Sequence, residues 1–202
     1  MPGEEAIVTY MRKLPREAEP GTKWVYKTGE TNLIDAIVAR ATGKPLASYL
    51  EEKIWRPYGM AQDGFWVLDT TGHEIGGCCI SASIADFARF GQFMLDGGRA
   101  GGKQVLPEGW IGKATTKQAE IGQPGRGYGY QWWTYEDGSY TARGLFGQNI
   151  FVDPARRLVI AMNANFASVK EDRLWEQRVG LFRAVQHAVD LEAGIAGRPM
   201  VE

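Results

Sequence analysis

The 202-residue chain has few of the residues that usually mark a function. It holds two cysteines, two histidines and five serines, and its 23 basic residues are offset by 24 acidic ones to a net charge of −1. With the two signs intermixed there is no basic face for nucleic acid or anionic lipid, so neither is expected as a partner. No apolar run approaches the roughly 20 residues of a membrane span, and no membrane association is expected. The start, Met1-Pro2-Gly3-Glu4-Glu5, has neither the basic nor the apolar region of a signal peptide, and the compartment is not legible. The cysteines, Cys78 and Cys79, are neighbours and would close only a strained ring, so no disulfide is expected within the chain. They read as small packing residues. The weaker alternative pairs them with His73 on a metal, but a fourth ligand is hard to find, and no metal or other cofactor is expected. His73 and His187 have no serine or acid arrangement around them and read as structural or surface residues.

What is present is a chain that is 44% hydrophobic and long enough to bury a substantial core. Residues 12–23, with Pro15, Pro20 and Gly21 among charges, read as an exposed loop. Leu33, Ile34, Ile37, Val38 and Ala41 form the apolar stripe of a helix over 31–42 that stops at Gly43. Pro45 opens a second helix, broken at Pro57 and Gly59. Ser83 with Asp86 predicts the start of a third, which ends at Gly97-Gly98. A short helix is expected over 107–114. Beyond residue 125 the period changes to that of strands. The turn signals Asp137-Gly138 and Asp153-Pro154 then predict an antiparallel meander. Helical spacing returns over 169–191, with Leu174, Val179, Phe182, Val185 and Val189 toward the core. The expectation is one α+β domain over 1–202, mainly helical to 125, then a meander with a closing helix over 126–202.

Several segments, in order, resemble the penicillin-recognising serine hydrolases, which include class C β-lactamases, related esterases and 6-aminohexanoate-dimer hydrolases. They are Pro20-Gly21-Thr22-Lys23-Trp24-Val25-Tyr26, Thr42-Gly43-Lys44-Pro45, Pro57-Tyr58-Gly59-Met60, Ser83 through Gly91, Gly127 through Trp133, and Gly144-Leu145-Phe146-Gly147-Gln148. The resemblance is strongest to the 6-aminohexanoate-dimer-hydrolase-like subgroup. It implies a β-lactamase/DD-peptidase-like fold, an antiparallel sheet flanked by helices.

The resemblance also implies a chemistry. A serine in Ser-x-x-Lys attacks a carbonyl, its lysine and a tyrosine move the proton, and two backbone N–H groups hold the oxyanion. Tyr26 matches the motif tyrosine, which would deprotonate the serine and protonate the leaving group. Thr28 stands where the family has an asparagine and could offer substrate only a hydroxyl. Lys27-Thr28-Gly29 spells the third β-lactamase motif but runs into a helix directly after the tyrosine, so it is read as coincidence. Gly144 through Gln148 is the better equivalent, with the Gln148 N–H as candidate oxyanion donor and Gly147 allowing close approach of substrate. A plain strand turn is the competing reading. Leu145 replaces the usual lysine or histidine, which removes a cation for a substrate carboxylate and argues against β-lactams. Trp132 and Trp133 alternate on a strand, most such aromatics being core, with one or two lining an acyl pocket.

None of the five serines, and no threonine, is followed three residues later by lysine, and there is no Gly-x-Ser-x-Gly. Only 25 residues precede Tyr26, too few for the family's nucleophile helix. The expectation is therefore a domain without its N-terminal strand and nucleophile helix. Its substrate class would be a small ester or linear amide. The alternative is an inactive remnant serving as a binding or interaction module. An uncovered sheet edge or apolar face would favour homo-oligomers.

Overall fold

A computed structural model describes residues 5–168, 172–195 and 197–201, and these divide into two compact units, 1–83 and 84–202. The sequence period changes at 125, whereas the units part at Ser83, because the helix that follows packs on the sheet and belongs with it.

The first unit is helical. α1 (Ala6–Met11) packs on α2 (Thr28–Thr42), and the segment between them is exposed, as the sequence predicts. α2 starts three residues ahead of the expected 31 and ends at Gly43, whose left-handed backbone donates its N–H to the Ala39 carbonyl. α3 (Leu46–Leu50) follows Pro45, passes through a π-helical turn (Glu51–Trp55) and continues as α4 (Arg56–Tyr58). α1 was not anticipated. A small ladder pairs β1 (Phe65–Trp66) with β2 (Ile80–Ser81). The loop between them is pinned to the helices, since Gly77 N donates to Asn32 Oδ1 (2.7 Å) and Ala47 N to Glu74 Oε1 (3.1 Å).

In that loop the expectation about cysteine is overturned. Cys78 and Cys79 are joined to each other. The tight turn at this point, with Cys78 N bonded to Ile75 O and Cys79 at φ +84°, brings neighbouring side chains together. His73 is a loop residue, its Nδ1 3.0 Å from Thr71 Oγ1. Among the described residues no group of three His, Cys, Asp or Glu is arranged for a metal.

The second unit opens with α5 (Ile84–Leu95), a small ladder of β3 (Arg99–Ala100) with β4 (Lys103–Gln104), and α6 (Trp110–Thr115). The predicted meander then appears as β5 (Ala119–Glu120), β6 (Arg126–Tyr128), β7 (Trp133–Tyr135), β8 (Tyr140–Arg143), β9 (Asn149–Asp153) and β10 (Leu158–Met162). The order β10-β9-β8-β7-β6-β5 is antiparallel throughout, with β10 and β5 at the edges. α7 (Asp172–Glu192) closes the unit, and the first three residues of the expected helix, 169–171, lie outside the described residues.

Register sorts the side chains onto two faces. Trp133, Thr141 and Phe151 share one row, and α7 covers that face through Val179 and Phe182. The Phe151 and Phe182 rings are stacked 4.5 Å apart and fully buried. Thr134, Tyr140 and Val152 share the other row, toward α5. There α5 approaches so closely that a Cβ on Gly91 would fall 2.5 Å from Val159 Cγ1. Replacing either large aromatic by alanine would cost about 3–5 kcal/mol.

Candidate active site

The residues singled out from sequence fall in both units. In the first, Tyr26 lies in the extended segment that enters α2 and is 54% exposed. Lys27 is the N-cap residue and Thr28 the first helical residue, so Lys27-Thr28-Gly29 does enter a helix. Glu17 pairs with both Lys23 and Lys27, which bracket the tyrosine, and those bonds pull the Glu17 carboxyl down to about 2. These ion pairs lie on either side of Tyr26 at the surface, where water screens them. Thr28 is exposed.

In the second unit, Gly144 through Gln148 joins β8 to β9. Gly144 N donates to Gln148 O (2.8 Å), Phe146 N to Gln148 Oε1 (3.2 Å) and Phe166 N to Phe146 O (3.0 Å). Gln148 Nε2 reaches Ala164 O (3.2 Å), so the glutamine side chain braces the turn from inside. Gly147 is buried at φ +94°, and a Cβ there would strike the Phe166 ring at 2.6 Å, so only glycine fits. The Gln148 N–H donates to no described residue, while Leu145 and Phe146 are exposed beside it. A backbone donor held by a braced turn and edged by apolar side chains can receive a carbonyl oxygen as charge develops on it.

The two tryptophans part company. Trp132 is 8% exposed in the core on the α5 side, stacked on Phe90 and edge-on to Tyr140 at 5.1 Å. Its ring therefore packs inside this unit, with Phe90 and Tyr140 as ring neighbours. Trp133 points to the opposite face, half-buried, edge-on to Tyr128 at 5.0 Å and with the Arg143 guanidinium 4.6 Å from its ring centre. The structure thus places Gly147 and Gln148 in one turn, and neither tryptophan in that turn.

A cluster that sequence reading passed over lies on the Trp133 face. Arg178 on α7 is buried with its guanidinium 3.6 Å from the Trp175 ring centre, and Arg143 at the end of β8 lies 4.8 Å from the same ring. The signal was there as Trp175 and Arg178, three apart on a helix.

The chain belongs to the β-lactamase family, whose model matches residues 1–182. It is similar to the 6-aminohexanoate-dimer hydrolase of Paenarthrobacter ureafaciens, at 29% identity over 177 residues, covering 82% of this chain and 45% of that protein. A solved structure from Bacillus anthracis, provisionally assigned as a 6-aminohexanoate-dimer hydrolase, superposes with a TM-score of 0.79 at 27% identity, covering 95% of this chain and 50% of that one. A β-lactamase from Mycobacterium bovis shares the fold, with a TM-score of 0.60 at 22% identity over 87% of this chain and 66% of that one. The chain spans about half the length of the two hydrolase relatives. The fold is α+β and β-lactamase-like, as expected from sequence.

Proposed function

We propose that this chain is the tyrosine- and oxyanion-bearing part of a serine hydrolase that cleaves small esters or linear amides through an acyl-enzyme. The observation that carries this reading is the braced turn, whose Gln148 N–H has no acceptor among the described residues, in a chain of the β-lactamase family. Tyr26 takes the proton of the attacking serine and returns it to the leaving group, and Thr28 and Gly147 contact substrate. The serine is not one of the five in these 202 residues, since none has lysine three residues on. Exposed Leu145 and Phe146 at the turn, with no cation among Gly144 through Gln148, favour an aliphatic or neutral acyl group. The absent Ser-x-x-Lys also supports a second reading, a non-catalytic binding or interaction module. Pairing through the β10 edge into homo-oligomers belongs to either reading and is checked by the molar mass in solution, measured by light scattering.

The experiment has two arms. The chain alone is treated with a fluorophosphonate probe and weighed intact, and no adduct is expected; an adduct on any of its serines overturns the assignment of the nucleophile. The chain is then mixed with the part of the Paenarthrobacter hydrolase that the match leaves uncovered, and p-nitrophenyl acetate turnover is followed. Turnover that drops about 10²–10⁴-fold in Tyr26→Phe supports the proposal. Absence of turnover in the mixture favours the binding-module reading.

A further inference from the structure

The face of the sheet beneath α7 collects buried donors without acceptors. Arg178 is 3% exposed, and its Nε, Nη1 and Nη2 make no hydrogen bond. Arg143 Nε and Asn149 Nδ2 are likewise buried and unpartnered. Arg143 and Asn149 are register partners at the ends of β8 and β9, and Arg143 and Arg178 share the Trp175 ring. Five buried nitrogens on three residues, all of them donors, thus lie on this one face of the sheet. The acceptors nearby are already engaged or carry no charge. Tyr135 Oη accepts from Arg143 Nη2 (2.6 Å), and Asn149 Oδ1 accepts from Thr141 Oγ1.

Such an arrangement is costly as it stands. A buried guanidinium without an anion loses its hydration and gains nothing in return, and a second guanidinium nearby repels it. Burial, then Arg143, push the Arg178 guanidinium down to about 10. Cation–π contact with Trp175 offsets part of this but saturates no N–H. What would satisfy the cluster is a ligand with several acceptor lone pairs and negative charge, which is the chemistry of a carboxylate or another small oxyanion. Arg143, Trp133 and Trp175, all half-buried, are the members of the cluster that reach the surface.

We infer that Arg143, Asn149 and Arg178, walled by Trp133 and Trp175, form a binding site for a small free carboxylate or equivalent oxyanion. The site is separate from the chemistry proposed for the Gly144–Gln148 turn, and it stands whether or not that chemistry does. Arg178 supplies a planar fork suited to two oxygens, Arg143 a second cation, and Asn149 a neutral donor.

The test follows the melting temperature and tryptophan emission of the chain as acetate, 6-aminohexanoate and sulfate are titrated in against chloride at constant ionic strength. The expected result is a saturable rise in melting temperature with a change in emission. Affinity should fall at least about tenfold in Arg178→Met, and by a smaller factor in Arg143→Gln, whose half-buried position makes it the safer variant for folding. An equal rise in all three proteins would be general salting-out stabilisation and would overturn the site. Stabilisation that instead grows with protein concentration when no oxyanion is added would assign the acceptor to a second copy of the chain, and would overturn the free ligand.

Discussion

Two buried arginines meet opposite ends of the same helix, α7, and they live in opposite circumstances. Arg156, 7% exposed, lies in the turn between β9 and β10. It donates through Nη1 to Asp153 Oδ2 (2.9 Å) and through Nε and Nη2 to Asp190 Oδ2 (3.1 and 2.7 Å). Around it, Gln186 Nε2 donates to Asp153 Oδ2 (2.8 Å) and Asp137 Oδ2 (3.0 Å), and Gln186 Oε1 accepts from Val201 N (3.0 Å). Each buried charge here has a partner of opposite sign or an amide donor, Arg198 adding a second cation 3.6 Å from Asp190, and the network ties two sheet turns and the segment at Val201 to α7. Arg178, as deeply buried three turns earlier, has rings beside it but no hydrogen-bond acceptor among the described residues. Burial by itself therefore does not identify an arginine's role. A saturated guanidinium is structural, and an unsaturated one asks for a ligand.

Breaking the saturated end should have the largest effect. Asp190→Ala leaves Arg156 with a single acid and is expected to cost about 3–5 kcal/mol in urea denaturation. Gln186→Leu removes an uncharged side chain, and its bonds to two carboxylates, from the centre of the same network, and about 1–3 kcal/mol should be lost. At the other end the sign should reverse. Without added oxyanion, Arg178→Met is expected to leave stability unchanged or raise it by about 1 kcal/mol, because it deletes an uncompensated charge and keeps apolar volume. A loss approaching that of Asp190→Ala would show that the two arginines are not different in kind.

The first unit sharpens the comparison with an unpartnered group of the opposite charge. Asp35 on α2 has Oδ2 buried without a partner, and burial, then Glu5 and Glu74, raise its carboxyl to about 6. The folded form therefore favours the protonated acid. That contribution is complete below the unfolded value near pH 4 and is lost as pH rises through about 6. Stability measured from pH 4 to pH 8 should fall across that window, and Asp35→Asn should flatten the profile. The difference near neutrality should be only about 1 kcal/mol, since the carboxyl is partly exposed and water screens it. Equal pH profiles for the two proteins would place Asp35 in contact with solvent instead.

Local patterns in the sequence predicted local structure well. The stripe from Leu33 to Ala41 located α2, and Asp137-Gly138 and Asp153-Pro154 located two turns of the meander. The turn between β6 and β7 carried no such signal, because its left-handed residue is Gln131 at φ +66° rather than a glycine. Alternation showed that Trp132 and Trp133 face opposite ways but not which of them faces the core, since that depends on α5 and α7, distant in sequence. The order of motifs made the family and the Gly144–Gln148 turn legible. The donor cluster was not legible, because Arg143, Asn149 and Arg178 become neighbours only through register and helix docking.

Every strand from β5 to β10 pairs with the strand that precedes or follows it in the chain. Each pairing closes only a short loop, so the entropy lost at any step is small and is recovered before the next begins. The sheet can assemble as a succession of hairpins, and such local pairing favours rapid folding. The slow step in this unit then falls to the docking of α5 and α7 on its two faces, which bring together segments far apart in the chain.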